Sequence, residues 1–366
     1  MGESAPAPLS IPTRKQVIAQ HKLRGGRVAA VLPVHYPRAL FAAFDILPVE
    51  VWGPPGRDTA EGDAHLPAYA CSIVRSALAF LAAGGLDAAD YLVVPHTCDA
   101  LQGLGSVLLD FVRPAQAVLP LYLPRDGGEK GRAFLAAEIR ALFERLVELT
   151  GRRPGEAELR AAIARDEQAD ALLARVSRGR AGLALGDREL YALLRSREFL
   201  PPEQFCELAA QALERRGRGE RAGTGVVISG MVVEPLAILD VLARGGAVVV
   251  ADDLGCCGRR LYPLGHSDDP FTRLAERLVA GSPDPTRGGS VRERAALLRA
   301  LCADFGARAV IFTVVKFCEP ELFFVPLLSR ALEGRGLRCL TIETDVSQPL
   351  PAQVTTRIEA LLESLT

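Results

Sequence analysis

Short, fully apolar runs recur along the chain, and their spacing sets the first expectation. From Arg27 to Pro124, "RVAAVLPV", "VEVWG", "YLVVP" and "AVLPLYLP" alternate with stretches whose apolar residues fall at helical spacing. Apolar runs of this kind predict strands covered on both faces, and their alternation with helices predicts parallel α/β layers. From Arg125 to about Arg221 the strands disappear. "FLAAEIRALFERLVELTG", "GEAELRAAIARDEQADALLARV" and "PEQFCELAAQALERR" repeat apolar positions at helical intervals, punctuated by Pro and Gly. From Gly223 the first rhythm returns in "GVVISG", "AVVVADD", "AVIFTVV" and "CLTIETD". The expected fold is therefore α/β: two doubly wound parallel-sheet domains, flavodoxin-like or Rossmann-like, with a helical insertion between them. The expected boundaries are a partly helical N-terminal segment 1–24, an α/β domain 25–124, a helical domain 125–222 and a second α/β domain 223–366. Crevices at the carboxyl ends of the two sheets should face each other across the domain boundary. The first dozen residues and "GSPDPTRGG" at 281–289 read as disordered.

Composition narrows the function classes. At 366 residues the chain can bury two ordinary cores. A net charge of −1 leaves no basic footprint for nucleic acid or an anionic membrane. Arg supplies almost all the positive charge, since the only lysines are Lys15, Lys22, Lys130 and Lys316; a compositional bias of the source genome explains this more simply than function does. The opening "MGESAPAPLSIPTRKQ" lacks the apolar stretch of a secretory signal, and the most apolar segment, Val226–Val250, is interrupted by Glu234, Asp240 and Arg244. The expected location is cytoplasmic. In a reducing compartment the eight cysteines are buried filler, nucleophiles or metal ligands, not structural disulfides.

Where the cysteines fall matters more than their number. Cys98 follows "YLVVP", the pair Cys256-Cys257 follows "AVVVADDLG", and Cys318 follows "VIFTVVKF". Cys71 opens the helical stretch leading to the strand before Cys98. These positions should share the carboxyl face of the sheets, where α/β proteins keep their chemistry. Cys206 and Cys302 sit mid-helix and Cys339 inside a strand, so those three read as core filler. Any one strand-end cysteine has the same bland explanation; several converging do not. Thiolates gathered from distant segments suit an iron–sulfur cluster, whereas zinc is disfavoured by the lack of a C-x₂-C pair. Helix starts after Cys98 and Cys318 would favour thiolate. A Cys98/His96 nucleophile pair is a weaker alternative. No Walker A sequence, H-E-x-x-H or G-x-S-x-G occurs, and "GTGVVISG" precedes its strand instead of following it.

At these residues the chain resembles the 2-hydroxyacyl-CoA dehydratase and benzoyl-CoA reductase family, in particular its smaller, D-type subunit. The resemblance runs through "VLPVHYPRALFAAFDILPVEVWGP", "CSIVRSAL", "VVPHTCDAL", "SGMVVEP", "VVVADDLGCCGRR" and "KFCEPE" to "IETD" and "QVTTRIEALLE", in that order. It implies a [4Fe-4S] cluster on Cys71, Cys98 and Cys318, with one iron left for a non-protein ligand. It also implies a homologous second subunit, or a homodimer, and a separate ATP-hydrolysing iron–sulfur activator that injects one electron. The implied reaction is dehydration of a 2-hydroxyacyl-CoA through a ketyl radical, or reduction of an aromatic acyl-CoA. Cys256 and Cys257 lie outside that ligand set. They read as filler, as supporting groups, or as ligands of an enlarged double-cubane [8Fe-9S] cluster of the kind used in related small-molecule reductases. A cluster-free structural partner subunit is the non-enzyme alternative.

Polar residues beside these positions complete the candidate set. His35, His96 and Glu319 are the candidates for moving protons, with Tyr36, Arg38, Asp99 and Lys316 nearby in sequence. A satisfied loop histidine is the commoner fate for His35. Asp252 and Asp253 read first as caps, at least one of them. Arg259 and Arg260 read equally as a CoA-phosphate site or as a solvated loop.

Overall fold

The computed structural model describes residues 9–215, 217 and 221–365. Its strands form two four-stranded, wholly parallel sheets. The first contains β1 (Arg27–Val31), β2 (Ile46–Glu50), β3 (Tyr91–His96) and β4 (Ala117–Tyr122), in the order β2-β1-β3-β4. The second contains β5 (Thr224–Gly230), β6 (Ala247–Leu254), β7 (Ala309–Val315) and β8 (Arg338–Thr344), in the order β6-β5-β7-β8. Helices α1 (Arg14–Leu23), α2 (Arg38–Ala43), α3 (Ala60–Asp63), α4 (Ser72–Ala82) and α5 (Asp99–Ser106) accompany the first sheet. Next come α6 (Glu129–Thr150), α7 (Glu156–Gly179), α8 (Asp187–Ser196) and α9 (Pro202–Glu214). The second sheet carries α10 (Ala237–Arg244), α12 (Val291–Asp304), α13 (Glu319–Glu333) and α14 (Ala352–Glu363), whereas α11 (Pro270–Val279), between α10 and α12 in sequence, packs on α6 and α7 in a core of the first sheet. The fold is the expected pair of doubly wound α/β units with helices between them.

Both sheets have the same wiring: the chain steps from the first strand to one edge, then crosses back past it. The order of strands therefore reverses between β1 and β3, and again between β5 and β7. Such reversals open a crevice at the carboxyl ends of the strands. The apolar runs fill both faces, as their composition requires. Along β1, Val28 and Ala30 enter a central core while Ala29 and Val31 enter a second core with α2, α6, α7 and α11. Along β7, Ala309, Ile311 and Val315 face the central core, and Val310, Phe312 and Val314 face α12 and α13. The central core takes residues from both sheets, and α11 packs on α6, so the apolar interior runs through all three zones of the chain.

Three local expectations are corrected. The strand placed at "VEVWG" begins earlier, because β2 pairs with β1 from Arg27 opposite Ile46 to Val31 opposite Glu50; Pro48 is tolerated because β2 is an edge strand. Helix α8 was not expected, and it buries Leu190, Tyr191, Leu193 and Leu194. Segment 281–289 is ordered: Asp284 caps a short 3₁₀ turn, and Asp284, Pro285 and Thr286 are buried. Of the first dozen residues, 1–8 lie outside the described residues; Leu9 is buried, and its N–H donates to Glu189 at 2.8 Å. Among the described residues no helix is long and apolar enough to cross a membrane.

Candidate functional site: a cavity lined by three cysteines

Cys71, Cys98 and Cys318 line one cavity of about 310 Å³. Each is the N-cap residue of a helix, respectively α4, α5 and α13. Cys98 and Cys318 hold equivalent places in the two sheets, following β3 and β7 beside the two strand reversals. Local geometry explains how each arrives there. After β3 the Thr97 N–H bonds back to the Pro95 carbonyl, and Cys98 is extended (φ −147°, ψ 167°) before Asp99 starts the helix. Asp99 in the first turn suits the positive end of the helix dipole. After β7 the chain turns through Phe317 at φ +62°, a left-handed conformation that costs a non-glycine residue about 1–2 kcal/mol. The Cys318 N–H then bonds to the Val315 carbonyl at 2.8 Å, which turns the thiol into the cavity.

The thiols sense one another. Burial pushes the Cys71 thiol up to about 12, with Cys98 adding to the rise and the amides of Val74 and Ile73 opposing it. Burial raises Cys98, against the amides of Leu101 and Ala100. Cys318 is held well above the usual thiol range by burial first, then by Cys71, Glu321 and Cys98. Two buried thiols and one half-buried thiol, each pushed up in this way, stay neutral unless a positive charge binds among them. The donor set therefore fits a soft, cationic group, and the helix amides facing each sulfur would offset the negative charge of bound thiolates. Among the described residues no group of three or more His, Cys, Asp or Glu side chains could hold a metal ion.

The walls are mostly apolar and aromatic: Leu66, Tyr69, Phe317, Phe323 and Phe324, with Pro67, Pro285 and Pro320. Asp99, Arg125 and Glu319 are the charged side chains that reach the lining. The mouth is hydrophobic, for Tyr69 is 67% exposed and Phe323 71% exposed.

Over residues 33–365 the sequence matches a family described as 2-hydroxyglutaryl-CoA dehydratase, D-component. The chain belongs to that family. It is 24% identical to the lactoyl-CoA dehydratase subunit beta of Anaerotignum propionicum, over 96% of this chain and 95% of the relative. It is 24% identical to the (R)-2-hydroxyglutaryl-CoA dehydratase subunit beta of Acidaminococcus fermentans, over 96% of each. A subunit of the benzoyl-CoA reductase of Thauera aromatica is 26% identical over 83% of this chain and 81% of its own length. These relatives are, by their names, subunits of acyl-CoA dehydratases and of an acyl-CoA reductase.

The other candidate residues of this D-component chain divide between the cavity and the interior. Of the three proposed proton carriers, Glu319 alone lines the cavity. His96 ends β3 two residues before Cys98, its ring set edge-on to Tyr122 at 4.6 Å between centroids, and both ring nitrogens are buried without a partner. His35 is fully buried. Its Nδ1 lies 2.6 Å from the Tyr262 hydroxyl and its Nε2 3.2 Å from Asp284. Burial, aided by Arg287, lowers its pKa to about 4, so the ring is neutral. Cys256 and Cys257 follow β6 with their sulfurs 3.6 Å apart. Cys256 faces a separate chamber shared with Tyr36, Arg38, Arg260 and Tyr262, not the three-thiol cavity.

Arg259 and Arg260 overturn both readings given to them. Neither is a solvated loop residue nor free for a phosphate: they are 0% and 5% exposed and engaged inside the protein. Arg259 bonds Asp253 at 2.9 Å and Glu321 at 2.7 Å, and Arg260 pairs with Glu50. Asp252 does cap a loop, accepting from the Leu254 and Gly258 amides, and it also pairs with Arg180. Arg38 is tied to Glu50 at 2.6 Å, and Tyr36 is buried. Lys316 is exposed, with its ammonium 5.3 Å from the Phe317 ring. The residues missed from sequence are the aromatic rim and Glu321. A signal existed: "LFFVPLL" is apolar all round its helix, more than a single buried stripe needs.

Proposed function

We propose that this chain is the iron–sulfur subunit of a 2-hydroxyacyl-CoA dehydratase-like enzyme, holding a [4Fe-4S] cluster on Cys71, Cys98 and Cys318. The observation that carries this reading is the convergence on one cavity of three thiols at helix N-cap positions, in a chain of the D-component family. Bound there, the cluster supplies one-electron transfer, the chemistry by which a 2-hydroxyacyl thioester loses water or an aromatic acyl thioester is reduced. The chain's own residues do the rest. The three thiols hold the group from three separate elements, so no single loop can release it. First-turn amides of α4, α5 and α13 balance the sulfur charge. Tyr69, Phe317, Phe323 and Phe324 give the cavity apolar walls that disfavour water once its mouth is covered. Glu319, on the cavity wall, is placed to take a proton from a molecule that enters.

Three thiols leave one iron without a protein ligand from this chain, which is the open position that catalysis or close electron relay needs. The electron comes from a separate ATP-hydrolysing iron–sulfur activator, and the acyl-CoA is handled together with a homologous second subunit. The exposed aromatic rim supports a partner that closes the cavity mouth. Cys256 opens onto a different chamber, which favours the smaller cluster over a double-cubane one.

Anaerobic reconstitution tests the reading. The intact chain should take up roughly four iron and four sulfide, and Cys71→Ser, Cys98→Ser or Cys318→Ser should lose them. Cys256→Ser and Cys257→Ser should retain them. About twice that iron, lost on changing Cys256, would replace the proposal with the double-cubane cluster. Failure to bind iron at all would leave a structural subunit.

A further inference from the structure

We propose that Arg259 is a positioning residue of the cysteine cavity: by clamping Glu321 against Asp253 it fixes where α13 presents the Cys318 thiol. The buried stripe of α13 is Glu321, Val325, Leu328 and Leu332. Glu321 occupies the place in the first turn where an apolar anchor would stand. Leu322 and Phe323 beside it point to solvent, at 39% and 71% exposed. The turn that carries Cys318 is therefore held to the fold through a carboxylate.

That carboxylate is held twice. Oε1 accepts from Arg259 at 2.7 Å and Oε2 from Arg294 at 2.8 Å. Both guanidinium groups also grip Asp253 at the end of β6, at 2.9 and 2.8 Å, and Ser229 at the end of β5 donates to Asp253 and accepts from Arg294. Arg259, Arg294, Asp253 and Glu321 are all fully buried, so water screens none of these contacts. An apolar contact would tolerate sliding; two guanidinium groups, each bridging Glu321 and Asp253 and each donating to its own oxygen of Glu321, set direction as well as distance. Arg259 alone of the two arginines also reaches Asp284, at 3.6 Å, whose neighbour Pro285 lines the cavity. One guanidinium thus ties together two walls of the site, the start of α13 and the 284–285 turn.

Hydrogen exchange on the iron-free chain tests this without relying on the proposed cluster; an iron-release arm rests on that reading. Arg259→Lys keeps the charge and loses the fork. It should speed amide exchange at residues 319–323 by about tenfold while the global unfolding transition moves little. In reconstituted protein it should speed chelator-driven iron loss by a similar factor. Arg259→Met combined with Glu321→Leu removes the clamp and leaves Arg294 paired with Asp253, so it is expected to fold even if the lysine variant does not. It should show the same local exchange and the same iron loss. Unchanged exchange at 319–323 in the folded double variant would overturn the proposal, as would failure of both variants to fold, since Arg259 would then support the whole domain. Faster exchange in a chain that binds no iron would keep the clamp and sink the cluster.

Discussion

Cysteine is a poor helix cap. Ser, Thr, Asp and Asn satisfy a first-turn N–H that a thiol serves badly, and none of the three cavity cysteines makes a side-chain cap hydrogen bond. Three helix starts thus give up stabilisation where the site is built. Cys98→Ser should stabilise the iron-free chain by up to about 1 kcal/mol, read as a raised denaturation midpoint, while abolishing iron uptake. A midpoint unchanged or lowered would show that the thiol carries a packing role instead. His35 gives a second test. Its folded pKa of about 4 lies below the unfolded value near 6.5, so the unfolded chain takes up the proton first as pH falls. Its contribution is complete above about 6.5 and is lost between there and about 4, amounting to roughly 3 kcal/mol. In His35→Gln, urea unfolding should show a flatter dependence across that window. At this scale the sequence was legible where backbone topology decides position, and illegible where partners are remote. Cys98 and Cys318 had to stand at strand ends because the strands are parallel. Nothing near Arg259 in sequence announces Glu321, and nothing near His35 announces Tyr262 or Asp284.

The elements themselves were read from apolar spacing, and errors fell where spacing competes with another rule. Gly and Pro in 281–289 imitate disorder, yet the carboxylate of Asp284, held by His35 and Arg259, orders the segment. Helix α11 shows how such contacts join distant stretches. Its Arg277 crosses to α7, bonding Asp166 at 3.0 Å and Asp170 at 2.6 Å, with every group at least nine-tenths buried. Arg277→Met would leave two buried carboxylates sharing Arg197 alone. We expect a loss of about 3–5 kcal/mol in chemical denaturation, against about 1 kcal/mol or less for the exposed pair broken by Arg145→Met.

Across the whole molecule, one region combines exposed aromatics with the mouth of the candidate site. Tyr69 and Phe323 frame the opening, and Leu322 and Leu327 extend the patch along α13. Phe323→Asp should leave the isolated chain's stability within about 0.5 kcal/mol, because the side chain is already in water. Co-expressed with the homologous second subunit proposed above, the variant should elute as separated chains in size-exclusion chromatography; an intact complex would place the interface elsewhere.

The site's make-up also bears on how the protein comes into being. Its sulfurs are drawn from residues 71, 98 and 318, so ribosomes release two of them long before the third. No nascent or truncated chain lacking the last quarter can present the full set. Loading of the proposed cluster would thereby be restricted to chains in which residues 71, 98 and 318 have been brought together by folding. Assembly of such a cluster would double as an inspection of the folded chain.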